Sequence, residues 1–111
     1  MTKYDVEEKT VEYLKTVFDP EIPVNVWDLG MIYKIDVKET AEPSEGKEYD
    51  VDIDMTFTAP NCPAADFILE DIQQKLEGIS AVKTVTVNVV FEPEWTKDMM
   101  SEEAKLDLGF M

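Results

Sequence analysis

The sequence predicts a two-layer α+β domain. Its order is helix, strand, strand, helix, strand, with a mixed three-stranded sheet and a short C-terminal helix. Three patterns carry this. Val51, Ile53, Met55 and Phe57 alternate with Asp52, Asp54, Thr56 and Thr58, the period of a strand with one buried face. Directly afterwards Ala65, Ile68, Leu69, Ile72 and Leu76 recur at helical spacing. Then Val85, Val87, Val89 and Phe91 alternate with Thr84, Thr86 and Asn88. A helical crossover makes the last two strands parallel, and a hairpin makes the first two antiparallel. Both long helices are expected on one sheet face. The other face, with Asp50, Asp52, Asp54, Thr56, Thr84, Thr86 and Asn88, is expected to be wet.

The first helix should open at Asp5, with Glu8 three residues on as in a capping box. Val6, Tyr13, Leu14 and Val17 share its apolar face, and Asp19-Pro20 should stop it near Phe18. Residues 19–30 carry two prolines and a glycine and read as an ordered loop. Ile22, Val24, Val26, Trp27 and Leu29 make that loop apolar enough to pack against the core, and it also holds Asp19, Glu21 and Asp28. Met31, Tyr33, Ile35 and Val37 give the first strand. Residues 39–48 read as a polar hairpin loop, and the second strand runs from Tyr49 to Phe57. The second helix spans Pro63 to Glu77, with Gly78 as a C′ residue. Ser101 to Lys105 reads as a short capped helix in a tail, residues 92–111, that should dock on the rest. One domain covering residues 1–111 is expected.

Composition narrows the function classes. The formal charge is −15, with ten lysines and neither arginine nor histidine. Such a surface repels nucleic acid and anionic membranes. It also lacks the imidazole base of a Ser-His-Asp or Cys-His catalytic pair. No signal peptide or membrane span is visible. A single cysteine forms no internal disulfide and suits a reducing, cytoplasmic setting.

That cysteine, Cys62, stands between the second strand and the second helix. Pro63 suits the first helical position, which makes Cys62 the N-cap. A thiol there meets free backbone N–H groups and the positive end of the helix dipole, both of which favour the thiolate. The geometry suggests a reactive or metal-binding cysteine, whereas a lone cysteine can equally be a small buried hydrophobe.

Asp-Pro-Glu-Ile-Pro-Val at 19–24, Asp-Leu-Gly at 28–30 and Thr-Ala-Pro-Asn-Cys-Pro at 58–63 resemble the SufT/PaaD-like family of small iron–sulfur assembly domains. The tail, from Trp95-Thr96 to Leu108-Gly109-Phe110, resembles the SufT branch, although Glu94 and Lys97 stand where that branch commonly has proline. The resemblance implies a non-enzymatic factor in iron–sulfur protein maturation, a cluster carrier or a targeting adaptor. Its partners would be the assembly machinery and client apo-proteins. It implies Cys62 as the functional and metal-binding thiol, Asp19, Glu21 and Asp28 as the loop acids, and Thr56 and Thr58 as the threonines leading to the cysteine.

Clusters are held mainly by four cysteine thiolates. One thiol and no histidine cannot close such a site, so a cluster would be held transiently, with a second chain's thiol and with carboxylates, glutathione or a client cysteine completing the shell. A structural zinc site is excluded by the same count. The alternative is a thiol enzyme with Cys62 as nucleophile and a carboxylate partner, which lacks a base of near-neutral pKa. Hairpin geometry should bring Asp28 and Thr58 to one sheet edge, with the 19–30 loop as a wall of the site. Trp27, Trp95 and Phe110 favour a homodimer or docked partner near Cys62, although Trp95 can equally cover the chain's own core.

Overall fold

The chain folds as α1 (Lys3–Leu14), β1 (Ile32–Ser44), β2 (Lys47–Met55), α2 (Ala65–Glu77) and β3 (Val82–Val89), followed by a 3₁₀ turn (Lys97–Met99) and α3 (Glu102–Asp107). The computed structural model describes residues 2–19, 23–57 and 65–109. β2 is central, antiparallel to β1 and parallel to β3. The expected α+β fold and mixed sheet are therefore present. α1 touches β1, α2 touches β3 and the helices touch each other, which puts both on one face. Between them lie Val37, Val51, Ile53, Met55 and Val85 from the sheet, with Val6 and Leu14 from α1 and Ile68, Ile72 and Leu76 from α2. Burying each such side chain stabilises the fold by about 1.5–3 kcal/mol.

Several boundaries differ from expectation. The cap of α1 is Thr2, not Asp5: Thr2 Oγ1 accepts from Asp5 N at 3.1 Å, and Asp5 Oδ2 accepts from Thr2 N at 2.9 Å. The Thr2 backbone N–H on the Asp5 carboxylate, followed by the Thr2 hydroxyl, lowers the Asp5 pKa. The helix closes at Leu14 rather than near Phe18, because Thr16 and Val17 N–H groups bond three residues back, to Tyr13 and Leu14 carbonyls. Residues 39–48 are not a loop. β1 runs to Ser44, and the turn is Glu45-Gly46 alone, with φ of 53° and 80°. Two left-handed residues give the hairpin turn whose twist matches the strands. Both faces of this ribbon are largely exposed beyond Val37, so no hydrophobic alternation marks it. Hydrogen bonds to backbone carbonyls hold it instead: Glu48 N and Tyr49 N both donate to Ala81 O, and Lys83 Nζ donates to the Glu42 carbonyl.

Gly78 follows α2 but is not among the glycines at positive φ, and Gly78 and Ile79 N–H groups bond three residues back. β2 stops at Met55, two residues short of expectation. Thr56 and Phe57 then leave the ladder and are both buried, so Thr56 does not belong to the wet face. The rest of that face is polar as expected: Lys34, Asp36, Asp52, Asp54, Thr86 and Asn88 line a shallow open depression. Across it Lys38 Nζ pairs with Asp52 Oδ2 at 2.8 Å, and Asn88 Nδ2 donates to Asp54 Oδ1 at 3.1 Å. Among the described residues no helix is long and apolar enough to cross a membrane.

Candidate functional site

The loop between α1 and β1 is built around one helical turn. Asn25 caps it: Asn25 Oδ1 accepts from Asp28 N at 2.9 Å, and Leu29 N donates to Asn25 O at 3.0 Å. The Asn25 side-chain amide also donates to Asp28 Oδ2 at 2.8 Å, which fixes one carboxylate oxygen. Gly30, at φ 76°, ends the turn. Its N–H bonds Trp27 O at 3.1 Å and the Met31 N–H bonds Val26 O at 3.2 Å, the paired closure that a left-handed glycine permits. Val24, Val26 and Leu29 are buried, and Trp27 packs on the core half-buried.

The C-terminal segment crosses this turn. Ser101 N donates to Asp28 O at 2.8 Å, and Trp95 Nε1 donates to Leu29 O at 2.7 Å. Tyr33, in the bulge at the start of β1, donates its hydroxyl to Pro93 O at 2.7 Å, with Met99 Sδ at 3.4 Å. Trp95 is half-buried against the core, so this aromatic covers the chain's own interior.

The turn then meets the end of the central strand. Thr56 N donates to Met31 O at 2.8 Å, and Val90 N donates to Met55 O at 2.8 Å. The start of β1 and the ends of β2 and β3 therefore share one sheet edge, and Asp28 and Thr56 lie at it. Asp19 is buried, with 6% of its surface exposed. Its neighbour Phe18 bridges to Asn25, which ties Asp19 to the Asp28 turn. Glu21, Thr58, Cys62 and Pro63 lie outside the described residues, as does Phe110. Asn25 and Tyr33 were not anticipated. The Asn25-x-x-Asp28 spacing is a cap signature and could have revealed the first; Tyr33 bonds a residue 60 positions away, which no local pattern encodes.

Among the described residues no group of three or more Asp, Glu, Cys or His side chains is placed to hold a metal ion. The whole chain supplies one thiol and no imidazole. This donor set does not fit a resident four-thiolate cluster within a single chain.

The chain is similar to known proteins over most of its length. A family profile described as "Iron-sulfur cluster assembly protein" matches residues 7–89. The chain is 57% identical over 105 residues, 95% of its length and 92% of the relative's, to the Fe-S protein maturation auxiliary factor of Porphyromonas gingivalis. It is 37% identical over 93 residues, 84% of its length and 97% of the relative's, to the Fe-S protein maturation auxiliary factor SufT of Staphylococcus aureus. A crystal structure of a domain of unknown function from Bacillus anthracis superposes with a TM-score of 0.79 at 33% identity, covering 97% of this chain and 95% of that one.

Proposed function

The chain belongs to the iron–sulfur cluster assembly protein family, and from that premise we propose that it is an auxiliary factor in iron–sulfur protein maturation, acting through Cys62. The full-length similarity to the Porphyromonas maturation factor supports this most. On this reading residues 1–111 work as one domain, and the cluster is cargo rather than a resident cofactor. Cys62 supplies one thiolate, and a second copy of the chain, a client or a small thiol supplies the rest. Asp19, Glu21, Asp28, Thr56 and Thr58 form the surrounding wall. The factor is a carrier or adaptor rather than an enzyme, and a single thiol suits work in the reducing cytoplasm.

Client docking beside the site has support in side-chain exposure. Phe67 on the first turn of α2 and Phe91 just after β3 are 59% and 47% exposed. The crossover brings the start of α2 and the end of β3 to the sheet edge that carries Asp28 and Thr56. Large exposed aromatics are characteristic of contact surfaces.

The test is anaerobic reconstitution with ferrous iron and sulfide, followed by transfer to an apo-ferredoxin. Wild-type protein should deliver iron and sulfide, whereas Cys62→Ser should fold normally and deliver none. Undiminished transfer by Cys62→Ser refutes the proposal.

A further inference from the structure

A helical turn leaves its last carbonyls without partners of its own. In the 26–29 turn, those of Val26 and Trp27 are answered locally, by Met31 and Gly30 N–H groups. Those of Asp28 and Leu29 are answered from the far end of the chain, by the Ser101 backbone and the Trp95 indole. The tail also passes so close to Gly30 that a Cβ there would stand 2.2 Å from Met99 O. The family profile ends at residue 89, so these donors lie outside the region it describes.

The consequence falls on Asp28. Its carboxylate is held by the Asn25 amide, its own N–H by Asn25 Oδ1, and its carbonyl by Ser101. The next carbonyl along is held by Trp95. The side chain is oriented by one local bond, while the backbone that carries it is held by Asn25 on its N–H side and by the tail on its carbonyl side. We propose that residues 93–101 form a strap that sets the Asp28 carboxylate, with Trp95 and Tyr33 as positioning residues for the cluster-handling site. This rests on the assignment of Asp28 to that site. Trp95 acts through its N–H on the Leu29 carbonyl. Tyr33 acts through its hydroxyl on the Pro93 carbonyl, which fixes the tail where it begins to cross.

Trp95→Phe removes the indole N–H and keeps an aromatic ring over the core, and Tyr33→Phe removes only a hydroxyl. Amide hydrogen exchange is measured at Leu29, Gly30 and Met31 and, as reference, at Val51 and Ile53 of β2. The Asn25 side-chain amide resonances are recorded in the same samples. Losing one hydrogen bond should speed exchange at the turn about tenfold, leave β2 unchanged, and collapse the two Asn25 amide protons toward free-amide positions. Cluster transfer to apo-ferredoxin should fall severalfold in the same variants. Exchange that rises equally in β2, or not at all at the turn, overturns the strap as a positioning element. So does a loosened turn with full transfer. Because the exchange and amide signals need neither iron nor Cys62, failure of the carrier reading would appear separately, in Cys62→Ser.

Discussion

Gly30 and Gly46 stand near opposite ends of the β1–β2 ribbon and share a backbone conformation, with φ of 76° and 80°. Their surroundings differ completely. Around Gly46 a Cβ would meet nothing within 4 Å, whereas at Gly30 it would collide with the Met99 backbone. One end of the ribbon is a solvated turn that needs only the left-handed conformation. At the other end that same conformation sits under a second layer of chain. The same residue type thus answers two constraints, and only at Gly30 does glycine hold the candidate site together.

Substitution separates these constraints. Gly30→Ala combines left-handed strain of about 1–2 kcal/mol with displacement of the tail, and should cost about 3 kcal/mol in urea unfolding. Gly46→Ala bears the strain alone and should cost about 1 kcal/mol. Equal losses would mean that the tail's passage over Gly30 adds nothing. Smaller still is Glu45→Asn. Asparagine tolerates the left-handed region better than glutamate in such a turn, so a gain of about 0.5 kcal/mol is expected from the same measurement.

The smallest effect lies on the open sheet face. The hydrogen bond to Asp52, followed by that carboxylate's charge, raises the Lys38 pKa. With the folded pKa the higher one, any stability from the pair is complete below the unfolded lysine value of about 10.4. It is lost as pH rises through the folded value. Asp52→Asn should lower the Lys38 titration midpoint seen by NMR and leave the urea midpoint at pH 7 unchanged, since the pair is solvent-screened.

The same contrast explains what could be read in advance. Val51, Ile53 and Met55, and likewise Ile68, Ile72 and Leu76, are buried as their spacing foretells, because one face of each element meets the core. The 39–48 ribbon was hidden because it buries almost nothing, so its polar composition looks like a loop while its backbone pairing carries no sequence signature. Thr56 breaks the strand pattern for the opposite reason: it lies where the ladder ends, and alternation stops having meaning. At the site, Asp28 was visible as a loop acid, and its Asn25 partner was within reach of cap spacing. The Trp95 bond to Leu29 joins residues 66 positions apart and is set by tertiary packing alone.

The strap also imposes an order on the making of the protein. During synthesis the 26–29 turn emerges long before the indole that satisfies Leu29, 66 residues later. Ser101, which answers Asp28, follows later still. Until both have left the ribosome, two carbonyls beside the candidate site have only water to bond. A chain released before Trp95 would therefore leave the Asp28 turn unfinished and would also lack the buried Met100 and Ala104. Completion of the turn thus reports that translation has reached the tail.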